Sequence, residues 1–376
     1  MVEWKKIEEV CTVLTGGDAP RECAKGQLEP TMEYPYPIYS NGDEIYGFCS
    51  TYRVNTDAVT ISSIGNVGSV FYRAANFTPI IRLKVVIPST KLLSTRFLYY
   101  SLLDYSFVGT NSSLSSMKAA DIKRILIPIP SLSEQQRIVG ILDTFTASID
   151  NLKAQIAQRR KQYEFYRDQL LDLEGKEGVE MKTLGELCEI KGRIGFRGYT
   201  REDQVEKGEG VISLSPGNIE NGQMIYNGCT YISWEKYEES PEIKTYNGDI
   251  IFCKTGSTVG KVAMVKELPC EATINPQLVV LKEITIDSKF LYYILGTYKL
   301  QSIVKRLAGV GSVPNISQEK LSNLEIPVPP PFDQHRIVSI LDTFESSISN
   351  LEAQLKEREK QYEYYRNKLL TFEKAK

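Results

Sequence analysis

The chain has 376 residues, 42% hydrophobic and 24% charged, enough apolar material for two globular cores, which excludes bulk disorder. Lys and Arg number 45 against 47 Asp and Glu, a formal net charge of −2; nucleic-acid affinity from a bulk cation excess is thereby excluded. Any such binding must come from basic residues on one face or from partners.

The N-terminal residues Met1 to Lys6 carry no signal-peptide apolar region. No apolar run approaches the roughly 18 residues of a membrane helix, and no membrane partner is expected. Seven cysteines, at 11, 23, 49, 188, 229, 253 and 270, form no C-x-x-C pair. That argues against a disulfide framework or zinc cluster and for a cytoplasmic location.

Residues 1–130 read as a first mixed α and β domain. Ala58-Val59-Thr60-Ile61 has strand composition and precedes the Gly-rich turn Ser63 to Gly68. Candidate contacts to DNA here are Arg21, Tyr39, Asn41, Asn66 and Arg73. Asn41 carries an amide that suits adenine, but an Asn-Gly pair is more often just a turn.

A long helix follows over 131–175. Ile127 to Glu174 reads IPIPSLSEQQRIVGILDTFTASIDNLKAQIAQRRKQYEFYRDQLLDLE, and 199 residues later Ile326 to Glu373 reads IPVPPPFDQHRIVSILDTFESSISNLEAQLKEREKQYEYYRNKLLTFE. Apolar residues fall at alternating steps of four and three, a coiled-coil seam. The first copy runs through Ile138, Leu142, Phe145, Ile149 and Leu152, and the second through Ile337, Leu341, Phe344, Ile348 and Leu351. Arg159 and Arg358 interrupt both seams at the same place. Ser131 and Glu134 have capping-box spacing, and Gly175 suits the C′ position.

Residues 179–328 form a second, divergent domain. Its opening resembles that of the first, with Met181 to Cys188 matching Trp4 to Cys11. Strand-like Asp249-Ile250-Ile251-Phe252 leads to the turn Thr255 to Gly260. The Gly-rich segment Lys191 to Arg201 offers Lys191, Arg193, Arg197 and Arg201 for phosphate and base-edge contact; a solvated basic loop is an equally weighted reading. Lys254, Ser257 and Lys261 flank the second turn, whose spacing does not fit a phosphate loop. The second long helix covers 331–374, starting near Asp333 after Pro329-Pro330-Pro331.

Catalytic signals are mostly missing. The single histidine, His335, occupies the position of Gln136 in the first copy, so a solvated side chain outweighs a catalytic one. No catalytic residue, metal site or cofactor site is assigned.

The doubled Ile-Pro-Ile-Pro with Glu134-Gln135-Gln136-Arg137-Ile138 and Ile-Pro-Val-Pro with Asp333-Gln334-His335-Arg336-Ile337, alternating with two divergent domains, resemble the specificity subunit of type I restriction-modification enzymes. The resemblance covers nearly the whole chain. It implies an α+β fold with a pseudo-twofold internal repeat, in which two target-recognition domains alternate with long helices paired as an antiparallel coiled coil. It further implies a non-catalytic subunit that binds double-stranded DNA at a bipartite, interrupted site.

Methylation subunits, two in number and using S-adenosylmethionine to modify adenine, dock on such a subunit. Motor-nuclease restriction subunits using ATP and Mg then join. Seam and partner-facing residues are Gln135, Ile138, Leu142, Phe145, Gln334, Ile337, Leu341 and Phe344. A seam of about 36 residues spans about 54 Å, more than the roughly 34 Å of one DNA turn, so helix length is expected to set the unread gap. A coiled-coil adaptor without DNA specificity stays open; salt-sensitive, sequence-dependent DNA binding distinguishes the two.

Overall fold

The computed structural model describes residues 2–103, 105, 117–193, 195, 199–309, 311 and 313–373. The chain divides into two units, one of residues 1–153 with 353–376 and the other of residues 154–352.

The repeated segments form helices over Leu132–Leu170 and Pro331–Leu370. The first starts with half of the expected capping box. Ser131 Oγ accepts from Glu134 N at 3.3 Å, but the Glu134 carboxylate turns to Arg137 at 2.6 and 2.8 Å. The second begins at Pro331 rather than near Asp333, because proline suits the first helical position, where no amide donor is needed. Gly175 (φ 75°) lies five residues beyond the end of the first helix and does not cap it. The helix stops at Leu170 so that Leu171 and Leu173, both buried, can enter the core of the second unit.

Among the described residues the first unit holds an antiparallel sheet ordered Cys11–Thr15, Lys84–Pro88, Ala58–Ile61, Val70–Arg73. A second sheet is ordered Cys23–Lys25, Ile45–Cys49, Tyr36–Tyr39, Thr78–Pro79, the last pair parallel. In the second unit the corresponding main sheet runs Glu189–Gly192, Leu278–Lys282, Ile250–Cys253 and onward. In a separate sheet of that unit Val211–Leu214 pairs in parallel with Ala272–Ile274. Each unit also has a two-stranded ribbon, Glu3–Lys6 with Leu126–Ile129 and Glu180–Thr183 with Glu325–Val328. These ribbons give the Ile-Pro-x-Pro segments their extended role.

Each core joins sheet, short helix and long helices. In the first unit Ile138 and Leu142, fully buried, lie with Phe97, Leu98 and Leu370. Ile337 and Leu341 join Phe290, Leu291 and Leu171 in the second. At roughly 1.5–3 kcal/mol for each fully buried aliphatic side chain, these anchors outweigh helix propensity. Farther along, Phe145 stacks on Tyr365 at 5.3 Å and Lys153 meets Glu359 at 3.5 Å, within the first unit. In the second, Tyr166 stacks on Phe344 at 5.4 Å and Arg160 meets Glu352 at 2.5 Å.

Two polar devices secure each long helix to its domain. Gln135, fully buried, accepts from Ser94 N (2.9 Å) and donates to Leu92 O (2.8 Å) and Pro130 O (2.9 Å). Its repeat counterpart Gln334 accepts from Asp287 N (3.1 Å) and donates to Pro329 O (2.8 Å). About two helical turns beyond, Asp143 accepts from Tyr100 Oη (2.6 Å) and Arg96 (2.5 Å). Asp342 accepts from Tyr293 Oη (2.7 Å) and Lys289 Nζ (2.5 Å). Burial, reinforced by the carboxylate acceptor, pushes both tyrosine hydroxyls well above their usual range, so they stay donors.

Candidate nucleic-acid interface

Strand register brings a set of loops to one end of each main sheet. In the first unit Thr15 pairs with Lys84, Lys84 with Ile61, and Ile61 with Val70. The loops that begin at Gly16 and Ser62 and the turn 80–83 therefore share that end. They are cross-linked by hydrogen bonds from Gly16 N to Leu83 O (2.7 Å), Ile81 N to Gly17 O (2.9 Å) and Arg82 N to Gly16 O (3.1 Å). Asn41 joins them, donating to Ile81 O (2.5 Å) and accepting from Ser63 N (2.7 Å), while Ser63 Oγ donates to Arg82 O (2.8 Å).

Ile81 and Arg82 have φ of 51° and 58°. Two successive L-residues in the left-handed region are unusual, and for β-branched Ile81 strained. Gly16 has to be glycine here, since a Cβ would lie 2.9 Å from the Ile80 backbone. A Cβ added at Gly17 would lie 3.1 Å from the Arg53 guanidinium, which places that cation beside the turn. Lys84 at its base donates to Thr15 Oγ1 (3.2 Å). Burial, with Arg82 nearby, lowers its pKa.

In the second unit Gly192 pairs with Val279 and Cys253 with Leu278, so the loops after Gly192 and Cys253 share an end with the turn 275–277. Lys254 N donates to Gln277 O (2.9 Å), Gly256 N to Pro314 O (2.9 Å) and Ile316 N to Lys254 O (2.9 Å). Thr255 Oγ1 donates to Asn315 Oδ1 at 2.6 Å. The bond from Met117 N to Ser63 O (3.0 Å) occupies the matching place in the first unit.

The residues expected to contact DNA fall into three groups. Asn66, Lys254 and Ser257 lie on these loop ends, with Asn66 and Ser257 exposed; Arg21 is exposed in another loop and Arg201 at the start of the short 3-10 helix Arg201–Asp203. Asn41, Arg73, Arg193, Lys191 and Lys261 are engaged within the protein. Arg73, 5% exposed, donates to Gly42 O (2.6 Å) and Asp43 (3.0 Å) and lies 3.9 Å over the half-buried Tyr39 ring. Arg193, buried, donates to Ile274 O and Thr273 Oγ1, both at 3.2 Å. Burial lowers the pKa of both guanidinium groups.

Lys191 meets Glu189 at 3.1 Å and Lys261 donates to Ile219 O at 3.0 Å. Of the engaged side chains, Asn41 and Arg73 bond loop backbone, at Ile81 and Gly42. Arg197 lies outside the described residues.

Of the seam and partner residues, Ile138, Leu142, Ile337 and Leu341 are core, Phe145 and Phe344 stack between helices, and Gln135 and Gln334 tie helix to domain. The Asp143 and Asp342 sites were missed, although identical Ile-Leu-Asp-Thr-Phe runs at 141–145 and 340–344 marked a polar residue inside a repeated apolar segment. Ile81 and Arg82 were missed too, because no glycine or asparagine announces their conformation.

A family model for the type I restriction modification DNA specificity domain matches residues 1–159 and 176–360. The specificity subunit of the Escherichia coli enzyme EcoR124I/EcoR124II is 33% identical over 297 residues, 73% of this chain and 72% of that one. The putative specificity subunit S.HindORF215P of Haemophilus influenzae is 28% identical over 391 residues, 99% and 96% of the two chains. In fold, the S subunit of the type I system from M. genitalium superposes with a TM-score of 0.62 at 18% identity, covering 99% and 97%.

Duplicated sheet-and-loop domains carried on long helices, together with these likenesses, define a DNA-specificity protein. The chain belongs to the specificity subunits of type I restriction-modification systems, which provide DNA sequence recognition and a base for complex assembly.

Proposed function

We propose that residues 1–130 and 179–328 are target-recognition domains for the two halves of one interrupted DNA site, and that 131–175 and 331–374 are spacer helices. The observation that carries this reading is that topologically matching loop sets close one end of each main sheet while their side chains differ. Such a pair of surfaces suits two unlike half-sites. The helices pair antiparallel with pseudo-twofold symmetry. In support, Phe145 with Tyr365 and Phe344 with Tyr166 are repeat-equivalent contacts.

The subunit acts in the cytoplasm without catalysing a reaction. Two methylation subunits carrying S-adenosylmethionine join it on DNA, and restriction subunits supply ATP- and Mg-dependent movement and cleavage. No helix among the described residues is long and apolar enough to cross a membrane. No group of three or more His, Cys, Asp or Glu there is placed to hold a metal. Co-expression with a methylation subunit from the same genome, followed by mapping of methylated adenine, tests the proposal. Modification at one bipartite motif is the expected result; a stable complex that modifies no motif would refute it.

A further inference from the structure

We propose that the turn entering the central strand of each main sheet reads base edges, through Ile81 and Arg82 in the first domain and through Gln277, oriented by Asn275, in the second. The inference rests on the specificity reading above and assigns it to particular residues.

Strain is the first ground. Each residue held at positive φ costs on the order of 1–3 kcal/mol, and such conformations persist where surrounding structure over-determines them. Four hydrogen bonds, from Ile81 N, Arg82 N, Asn41 Nδ2 and Ser63 Oγ, do so here. What they hold in place is an Ile81 side chain 49% exposed beside an exposed Arg82. An exposed branched apolar residue in a strained turn does nothing for the core. On DNA it fits the thymine methyl, and the adjacent guanidinium fork matches guanine O6 and N7.

The second ground is topology. In the second unit the turn between Ala272–Ile274 and Leu278–Lys282 occupies the same place, after a strand paired in parallel and before the central strand. Pro276 stiffens it. Asn275 Oδ1 accepts from Gln277 N (3.0 Å) and Asn275 Nδ2 donates to Gln277 Oε1 (3.3 Å), which orients the exposed Gln277 amide and leaves its NH2 and further acceptor capacity for a ligand. An amide in the major groove matches adenine N6 and N7. Equivalent turns therefore carry different chemistry, one suited to thymine and guanine and the other to adenine.

The test is the methylated-adenine map of cells co-expressing a methylation subunit with the wild-type chain, I81G, R82A, R82K or Q277A. I81G relieves the strain, so its melting temperature is expected to equal or exceed that of wild type. I81G and R82A are expected to relax one or two positions of one half-site, and Q277A one position of the other, each by about tenfold in discrimination. Should R82A abolish methylation, R82K decides. A relaxed base supports a guanine contact, because lysine keeps the charge but loses the fork; an unchanged motif means a phosphate contact and overturns the proposal for Arg82.

A wild-type motif that all variants preserve overturns the inference. Absence of any bipartite motif with the wild-type chain is a separate result, which defeats the specificity reading itself.

Discussion

Gln135 and Gln334 show how much one buried amide can organise. Each ties the first turn of a long helix to backbone groups of its own domain, and removing it strands donors and acceptors in the interior. Q135A is expected to lower the stability of the first unit by about 1–3 kcal/mol, measured by urea unfolding; a loss below the error of that measurement would refute the role. Residue types were legible in the sequence at this scale, and their duties only in part. Arg73 and Arg193 read as DNA contacts because arginine on a polar stretch often is one, yet both are buried and bonded to carbonyl oxygens. Composition does not reveal which way a side chain turns. That Asn66, Lys254 and Ser257 sit at sheet ends was legible, because Gly-rich turns follow strands there.

The two helices were the most legible elements, since about 36 residues of repeated seam outweigh any local ambiguity. Their ends were less so. Gly175 has the right chemistry for a cap, but burial of Leu171 and Leu173 ends the helix earlier. At about 1.5 Å per residue, deleting one heptad from each helix at matching positions removes about 10 Å, or roughly three base pairs of 3.4 Å. The mapped methylation gap is expected to shorten accordingly, and an unchanged gap with intact half-sites would refute the ruler role. The short strands of the variable domains escaped most sequence reading. Several run only two or three residues, as Thr78–Pro79 and Ala272–Ile274 do, too short for a period to register.

For the whole molecule, the 199-residue offset between copies pointed to two long helices, which form over Leu132–Leu170 and Pro331–Leu370. The partition of contacts was not legible, because a sequence lists neighbours along the chain and a core gathers them across it. Exchanging residues 182–325 for those of another specificity subunit is expected to change one half of the methylated motif and leave the other intact; alteration of both halves would show that the domains do not read independently.

The last helical turns belong to the first unit, with Tyr362, Leu369, Leu370 and Phe372 in or against the core built by Ile7, Phe97 and Ile138. A nonsense or frameshift mutation in the codons for residues 362–372 thus strips apolar residues from the core that Ile7 and Phe97 help to build. Such a lesion lies far along the chain from most of the unit it weakens. On the ribosome, likewise, the core around Ile7 and Phe97 stays incomplete until Leu369 and Leu370 have been made.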